Sequence, residues 1–453
     1  MSDIIAAVAT GSQISAIGII RLSGPGCIRL AQQVFTAHSG RSLEEVPSHR
    51  LTIGSLQDAQ GRVIDQCLAT VSRAPGSYTG EDTVEFHCHG SPAVLSAGLQ
   101  SLFHRGARLA GRGEFTKRAF LNGQLDLTQA EAVIDLIESE TADAAANAAA
   151  QVGGVLKNRL LPIYNDLTDL CSHFHAVLDY PDEDIDDFRL ADYHQTLKNH
   201  AKTLQALLDS YSQGRILRHG VRTAIVGRPN AGKSSLLNLL AGFDRAIVTD
   251  IPGTTRDTVE ESVLLGSVRL NLVDTAGIRE SNDPIEELGV ERSRRAAREA
   301  QLCIFVCDGT RPLDAQDEDI MDLCREAPNS IAILNKQDLP SCVEPSDLPF
   351  EWIIPMSAKE GTGLQQLQDI IEELFAGSLP PDGSVLTNQR QYQAILRSKD
   401  HLSRAMQALR QGLTPDAVLI DVEQAMEALG EVTGGTVRED ITARIFERFC
   451  VGK

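Results

Sequence analysis

One glycine-rich loop constrains this chain more than any other stretch of its sequence. It reads Gly227-Arg-Pro-Asn-Ala-Gly-Lys-Ser234, and it stands between two apolar runs, 221–226 and 235–240. The first run predicts a buried strand and the second a helix. In such a loop the glycines let backbone N–H groups turn toward phosphate oxygens, and the helix N-terminus adds partial positive charge. The sequence therefore predicts a Walker A loop, in preference to a glycine-rich turn that matches by chance.

Side chains in and after this loop fit a nucleotide with its metal ion. Lys233 would reach the β- and γ-phosphates, and the Ser234 hydroxyl would ligate Mg²⁺. Asp274-Thr-Ala-Gly277 closes another apolar run, 268–273, and supplies an Asp for the Mg²⁺ shell and a Gly near the γ-phosphate. We therefore expect a nucleoside triphosphate at this site.

Two further motifs select the base. Asn335-Lys-Gln-Asp338 follows the strand-like run 331–334, and Ser357-Ala-Lys359 follows 352–356. Asp338 can accept hydrogen bonds from guanine N1–H and the 2-amino group, whereas adenine offers neither donor in that arrangement. The expected base is guanine, and residues 216–379 resemble the translation-factor-like GTPases.

The sequence departs from the Ras-like pattern at the position that orients the attacking water. Ile278 stands where Ras-type enzymes have Gln, and Ile cannot orient water. A carboxylate from elsewhere in the chain must then orient it. The polar loop 279–287 offers several candidates, although it also fits a mobile acidic surface loop.

A second departure concerns the charge that develops during hydrolysis. Asn230 and the segment 249–257 could supply an amide oxygen and carbonyls to a monovalent cation beside the phosphates. Thr255 is the expected second Mg²⁺ ligand. Arg256 could instead act as an arginine finger, or form an ordinary ion pair within the loop.

Composition limits the class of protein. A chain of 453 residues with 42% hydrophobic content is long enough for two or three packed domains. The nine cysteines are odd in number and lack Cys-x-x-Cys spacing, so most are expected to be buried thiols. No leader or long apolar segment is evident, which predicts a soluble cytoplasmic protein that contacts no membrane. The net charge of −20 requires any RNA contact to use a local patch or a partner.

Residues 1–120 have the pattern of a mixed α/β domain. Alternation in the strand 83–89 predicts Glu85, His87 and His89 on one face. Three readings of that face stay open: a ligand pocket, simple solvent exposure, or a metal site.

Helical patterning dominates residues 121–215 and 380–453. Thr128 and Glu131 fit a capping box at the first of these helices. The GTPase segment 216–379 would then be inserted into a helical domain, which ties both of its ends to the same helices. The tail 449–453 fits a frayed end. Alternatively, Cys450 could be a nucleophile or a ligand anchor if the tail docks into another domain or subunit.

Taken together, these motifs make the chain resemble the MnmE (TrmE) family of tRNA modification GTPases from end to end. The residues that carry the resemblance are the loop from Gly227, Gly253-Thr-Thr-Arg-Asp257, Asp274-Thr-Ala-Gly277, Asn335-Lys-Gln-Asp338, Tyr78-Thr-Gly-Glu-Asp82, Ala119-Phe-Leu-Asn122, Leu125-Asp-Leu127, Gln129-Ala-Glu131 and the closing Phe449-Cys-Val-Gly-Lys453. The resemblance implies a multidomain fold: an α/β N-terminal folate-binding-like domain, an all-α helical domain, and an inserted Ras-like α/β P-loop GTPase domain.

The resemblance also implies an activity and partners. It implies a homodimer joined through the N-terminal domains and a flavoprotein partner, MnmG (GidA). Together they would install an aminomethyl-type or carboxymethylaminomethyl group at C5 of the wobble uridine of certain tRNAs. The carbon would come from 5,10-methylene-tetrahydrofolate, with 5-formyl-tetrahydrofolate as a related ligand, and the amine from glycine or ammonium.

The resemblance assigns roles to individual residues. It implies that Asn230, Thr249, Ile251 and Thr254 bind K⁺ and that Ser234 and Thr255 bind Mg²⁺. It gives catalytic roles to Glu286, Lys233 and Cys450, and folate contacts to Arg21, Glu85, Gln124 and Lys453, although a well-known member has Lys at the position of Gln124. The GTP contacts comprise Asn230, Ala231, Gly232, Lys233, Ser234, Ser235, Thr249, Asp250, Ile251, Pro252, Gly253, Thr254, Thr255, Asp274, Thr275, Ala276, Gly277, Asn335, Lys336, Asp338, Ser357, Ala358 and Lys359.

Two functional hypotheses follow. The first is a K⁺-activated GTPase whose hydrolysis cycle gates one-carbon chemistry on tRNA. The alternative is a regulatory GTPase that acts as a ribosome or RNA assembly factor without chemistry of its own, since the nucleotide motifs alone fit it equally well. Folate binding by the N-terminal domain distinguishes the two.

Overall fold

The computed structural model divides the chain into two compact units. One comprises 1–134, 151–201 and 393–453, and the other 135–150 and 202–392. The residues that the structure describes are 3–11, 13–179, 190–243, 261–273, 297–376, 383–435, 445–446 and 449–452. The domain boundaries at 120, 215 and 379 stay predictions.

A seven-stranded sheet forms the N-terminal part of the first unit, in the spatial order β3-β4-β5-β6-β2-β1-β7. Its elements are β1 Ile5–Val8, β2 Ser15–Ser23, α1 Cys27–Gln32, β3 Phe35–Ala37, β4 Leu51–Gln57, β5 Val63–Ser72, β6 Thr83–Gly90, α2 Pro92–His104, β7 Arg108–Leu109 and α3 Glu114–Leu121. The strand β6 lies where the sequence predicts a strand, at 83–89. The mixed α/β prediction for this region is therefore confirmed.

The two faces of this sheet differ in burial. Val84, Phe86 and Cys88 of β6 are buried in the core, whereas Glu85, His87 and His89 point the other way, as the alternation predicts. On that second face Ile53 lies directly opposite Leu68, and Leu68 opposite His87. We call it the outer face of the sheet, and its strands carry exposed apolar side chains.

Helices fill most of the remainder. They are α4 Leu127–Ile137, α5 Ala142–Val152, α6 Val155–Asp179, α7 Leu190–Asp209, α8 Tyr211–His219, and, after the second sheet, α12 Gln389–Arg410 and α13 Pro415–Thr433. Both α12 and α13 lie within 380–453, where the sequence predicts helical patterning.

The start of α4 corrects one sequence prediction. The capping box is formed by Asp126 and Gln129, not by Thr128 and Glu131. The Asp126 carboxylate accepts from Gln129 N at 2.9 Å, and Gln129 Oε1 accepts from Asp126 N at 3.0 Å. The Thr128 hydroxyl donates to the same Asp126 carboxylate, so the acceptor two residues earlier forms the cap.

The C-terminal tail docks and is not a frayed end. Val451 forms an isolated bridge with Arg112, and Gly113 N donates to Cys450 O at 3.3 Å. Phe449 is buried in a cluster with Phe446, Ala130 and Ile134. The tail is held because it buries an aromatic ring and pairs its backbone.

A six-stranded sheet forms the centre of the second unit, in the order β13-β12-β11-β8-β10-β9. Its elements are β8 Val221–Val226, α9 Lys233–Phe243, β9 Glu261–Leu265, β10 Val268–Val273, β11 Leu302–Asp308, α10 Ala315–Arg325, β12 Asn329–Asn335, a 3-10 turn Pro345–Asp347, β13 Trp352–Pro355 and α11 Leu364–Phe375. All neighbours are parallel except β9, which pairs antiparallel with β10. Parallel order brings the carboxyl ends of β8, β11, β12 and β13 to one edge, where loops bind ligands in open α/β sheets.

Among the described residues, no helix is both long enough and apolar enough to cross a membrane.

Candidate nucleotide-binding site

The predicted phosphate-binding loop lies between β8 and α9. Its glycines have the backbone that the loop requires, with φ of 152° at Gly227 and 104° at Gly232. A Cβ on Gly232 would collide with the Asn335 amide, and one on Gly227 would collide with the Val306 carbonyl. The loop can therefore form only with glycine at both positions.

Lys233 spans the mouth of this loop. Its Nζ donates to the carbonyls of Gly227 and Arg228, each at 2.7 Å. Burial lowers the pKa of Lys233. A partly desolvated ammonium gains from an anionic partner, so the position suits a phosphate group.

Asn335 joins the phosphate loop to the loop after β13. Its Nδ2 donates to Ala231 O at 2.8 Å, and its Oδ1 accepts from Ala358 N at 2.9 Å. The side chain is buried, so these two bonds fix the spacing of three loops at the sheet edge.

Asp338 lies at the exposed end of the same loop. Ser357 Oγ donates to Asp338 Oδ1 at 2.7 Å, and that bond holds the pKa of the carboxyl below its ordinary value. The carboxylate is therefore ionised at neutral pH and oriented by Ser357. An exposed, ionised carboxylate can accept the paired N–H donors of guanine.

Sequence reasoning missed Asp308, the last residue of β11. Its Oδ2 accepts from Lys336 Nζ at 2.6 Å, and Lys336 has a left-handed backbone, with φ of 64°. The available signal was an Asp that ends a buried strand at the same edge as the nucleotide motifs.

Part of the predicted site falls outside the described residues. This holds for Ile278, Arg256, the catalytic candidate Glu286, the folate candidate Lys453, and the nucleotide or cation candidates Thr249, Asp250, Ile251, Pro252, Gly253, Thr254, Thr255, Asp274, Thr275, Ala276 and Gly277. Asn230, Ala231, Ser234, Ser235 and Lys359 are described, and Asn230 lies exposed in the loop with φ of 63°.

Two of the four predicted folate residues, Arg21 and Glu85, lie together on the N-terminal sheet. Arg21 Nε donates to Glu85 Oε1 at 2.7 Å, and the Arg21 guanidinium lies 5.8 Å from the centre of the Tyr78 ring and 5.7 Å from that of Phe115. Gln124 approaches the Tyr78 loop, because a Cβ on Gly80 would lie 3.2 Å from its Nε2. The loop that carries Tyr78 thus lies beside both Arg21 and Gln124. Cys450 is exposed on the docked tail.

The two histidines of β6 each lie close to a single carboxylate. His87 Nε2 lies 3.4 Å from Glu85 Oε2, and His89 Nδ1 lies 2.8 Å from Asp65 Oδ1. No group of three or more His, Cys, Asp or Glu side chains within the described part of the chain could hold a metal ion. The metal reading of Glu85, His87 and His89 is therefore wrong.

A parallel sheet with a phosphate loop after β8, an Asn-Lys-Gln-Asp loop after β12 and a Ser-Ala-Lys loop after β13 defines a guanine-nucleotide-binding protein of the P-loop class. Two family models match the chain: the MnmE helical domain over 127–450, and the GTP-binding protein TrmE N-terminus over 4–124. The chain belongs to the MnmE family of GTPases.

Individual relatives agree with this assignment. The tRNA modification GTPase MnmE of Heliobacterium modesticaldum is 42% identical over 471 aligned residues, which cover 100% of both chains. The protein of the same name from Thermoanaerobacter pseudethanolicus is 39% identical and covers 100% of this chain and 99% of its own. Among solved structures, Aquifex aeolicus Era bound to GDP·AlF4⁻ is 25% identical and covers 40% of this chain and 65% of its own, with a TM-score of 0.26.

Proposed function

We propose that this chain hydrolyses GTP in a K⁺-stimulated cycle and, with the flavoprotein MnmG (GidA), modifies C5 of the wobble uridine of certain tRNAs in the cytoplasm. The product would be an aminomethyl or carboxymethylaminomethyl group whose carbon comes from methylene-tetrahydrofolate. The observation that carries this proposal is a guanine-nucleotide site and a second polar cluster, Arg21 with Glu85, in one chain of the MnmE family.

The chain's own residues would hold the nucleotide as follows. Lys233 exchanges its two carbonyl partners for β- and γ-phosphate oxygens, while Asp338 reads guanine. The donor set fits Mg²⁺, since Ser234 is the second residue of α9 and directly follows the phosphate-loop Lys233, and Thr255 would add a second hydroxyl. Mg²⁺ supplies charge neutralisation on the phosphates when bound. Glu286 would orient the attacking water, the task that Ile278 cannot perform.

The proposed K⁺ ligands are Asn230, Thr249, Ile251 and Thr254. Asn230 supports the proposal because it is exposed in the phosphate loop, on a left-handed backbone with φ of 63°. An amide oxygen and carbonyls are hard oxygen ligands of the kind that suit an alkali cation. When bound there, K⁺ would supply positive charge near the developing negative charge.

GTP turnover in KCl and in NaCl at matched ionic strength tests the cation role. We expect a large stimulation by K⁺ that Asn230→Ala abolishes. Asn158→Ala, an exposed Asn on α6, serves as the matched control and should keep the stimulation. Equal rates in the two salts would refute the K⁺ site and point to Arg256 or an external partner as the source of positive charge.

The proposed folate site uses Arg21, Glu85, Gln124 and Lys453. Arg21 and Glu85 form an ion pair on the outer face, each only about a quarter exposed, so the carboxylate is oriented and can accept from a pterin amino group. The Tyr78 ring, which is 40% exposed, lies beside the guanidinium and would give a planar ligand an apolar wall, whereas the Phe115 ring is fully buried. Cys450 is proposed as a catalytic thiol on the docked tail.

Equilibrium dialysis of 5-formyl-tetrahydrofolate against the full chain tests this site. Glu85→Gln should weaken binding about tenfold or more, because a charged acceptor becomes a neutral one. Glu423→Gln, on α13, provides a control that should bind normally. Unchanged binding by the Glu85 variant would remove Glu85 from the site.

The proposed homodimer would use the outer face of the N-terminal sheet. Ile17, Ile53 and Leu68 are 59%, 56% and 37% exposed on β2, β4 and β5 of this sheet. A cluster of exposed branched side chains on a sheet favours burial against a partner. Ile53→Glu should convert the dimer to a monomer in sedimentation equilibrium, whereas Leu413→Glu, at an equally exposed position between α12 and α13, should not. A dimer that survives Ile53→Glu would exclude this interface.

The tRNA activity is tested by mass analysis of wobble-uridine nucleosides from a deletion strain. We expect the C5-modified nucleosides to disappear and the unmodified or partly modified forms to accumulate. Unchanged nucleosides would reject tRNA chemistry and favour a regulatory GTPase that acts in ribosome or RNA assembly.

A further inference from the structure

Asp308 is a partly buried carboxylate at the carboxyl end of β11, and its side chain is 12% exposed. One oxygen accepts from Lys336 Nζ at 2.6 Å. The other accepts from Thr310 N at 3.0 Å and from Thr310 Oγ1 at 2.7 Å. Burial would raise the pKa of Asp308, but the bonds from Lys336 and Thr310 outweigh it and hold the pKa below its ordinary value.

The turn after Asp308 is bonded to the guanine-recognition loop. Gly309 N donates to Asn335 O at 3.1 Å, and Gly309 O accepts from Cys342 N at 2.7 Å. The turn therefore supports both ends of the segment 335–342. A Cβ on Gly309 would lie 3.0 Å from the Asn335 carbonyl, so the two segments pack without spare room.

Lys336 has an unusual backbone that requires such support. Its φ of 64° is a left-handed conformation that residues with a Cβ rarely adopt. The residue stands between Asn335, which joins the phosphate loop, and Asp338, which reads the base two positions later. A shift at Lys336 would consequently move both of its functional neighbours.

We propose that Asp308 is a positioning residue for guanine recognition, which holds the Lys336 ammonium and thereby fixes the Asn335–Asp338 loop in its binding geometry. A charge pair between partly buried groups is directional, and loss of one partner leaves the other charge without compensation. The inference rests on guanine-nucleotide binding at this site and not on K⁺, folate or tRNA.

The conservative variant Asp308→Asn tests the role of the charge. It keeps an acceptor for Thr310 but removes the ion pair with Lys336. We expect about tenfold weaker binding of a fluorescent GDP analogue, with KM for GTP raised more than kcat is lowered. We also expect the preference for GDP over inosine diphosphate to become smaller. Inosine lacks the 2-amino group whose hydrogen bond Asp338 accepts, so displacement of Asp338 should weaken GDP binding more than inosine diphosphate binding. Loss of fold stability alone would weaken the binding of GDP and of inosine diphosphate by the same factor.

A double-mutant cycle assigns the effect to the pair. Lys336→Met should weaken GDP binding, and Asp308→Asn added to it should cost little more, since the partner is already gone. Asp322→Asn, an exposed carboxylate on α10, serves as the control and should bind normally. If Asp308→Asn fails to fold, Asp308→Glu replaces it in the experiment. Because Asp308→Glu keeps a carboxylate for Lys336, it should keep most of the preference for GDP over inosine diphosphate that Lys336→Met loses.

The proposal is overturned if Asp308→Asn binds GDP within twofold of the unmodified chain, if the two substitutions are additive, or if Asp308→Glu shows the preference of Lys336→Met. These outcomes differ from failure of guanine-nucleotide binding itself, in which the unmodified chain would bind neither GDP nor GTP.

Discussion

Replacement of Asn335 by Ala tests how far one buried amide assembles the nucleotide site. The side chain bonds Ala231 O at 2.8 Å and Ala358 N at 2.9 Å, and the residue is only 2% exposed. Removal of both bonds leaves a buried acceptor and a buried donor unpaired. At about 1–2 kcal/mol for each such group, the substitution should cost about 2–4 kcal/mol.

That cost should divide between stability and ligand binding. If about half of it is needed to hold the loops in the binding geometry, GDP affinity should fall about 5- to 30-fold, since 1.4 kcal/mol corresponds to a factor of ten. The melting temperature of the unit that carries the second sheet should fall by about 5–10 °C. Titration of a fluorescent GDP analogue and calorimetry of the same samples measure the two effects.

Asn329→Ala supplies the control for this experiment. Asn329 begins the same strand, β12, and its amide donates one bond to Gln301 O at 3.1 Å, far along the strand from the nucleotide loops. It should lower the melting temperature slightly and leave GDP affinity unchanged. If Asn335→Ala lowers the melting temperature but binds GDP like Asn329→Ala, the amide supports the fold only, and the reasoning about loop spacing is refuted.

Three further measurements test other parts of the structure. Burial opposes the charge on Glu114, yet the Arg108 hydrogen bond holds the pKa of this carboxyl at about 2, below its ordinary 4.5. The ionised carboxylate therefore contributes about 2–3 kcal/mol to the free energy of unfolding above pH 4.5, and this contribution is lost as the pH falls toward 2. In urea unfolding, Glu114→Gln should destabilise the chain at pH 7 and not at pH 2. Phe449→Ala should cost about 3–4 kcal/mol by leaving a cavity under the tail, and an unchanged unfolding curve would contradict the docked tail. Alkylation of the native chain followed by mass analysis should modify Cys342 and Cys450 first, because the other thiols are buried, and early modification of any other cysteine would contradict that burial.

Local patterns predicted much of the second sheet. The apolar runs at 221–226 and 268–273 became β8 and β10 with the same bounds. In β10 buried Val268, Leu270 and Leu272 alternate with partly buried residues, which is the period of a strand. The prediction that most cysteines are buried thiols is also confirmed, since only Cys342 and Cys450 are exposed.

The sequence did not decide the cap of α4 or the state of the C-terminal tail. The cap of α4 was assigned to Thr128, but the carboxylate of Asp126, two residues earlier, caps the helix and accepts from Gln129 N and from the Thr128 hydroxyl. The tail was left open between a frayed end and an anchor, since five residues contain no periodicity to decide between them. Its docking depends on packing of Phe449 against Ala130 and Ile134, which are distant in sequence.

By itself, the sequence determined the nucleotide loop, the guanine motif and the strand faces, because each depends on residues within one turn or one strand. Only the tertiary structure decided that Asp308 pairs with Lys336, that Asn335 joins two other loops, and that Arg21 meets Glu85. Those contacts join residues 28, 104 and 64 positions apart. The order and register of strands bring such residues together, and strand order is set by burial of the whole sheet rather than by any local pattern.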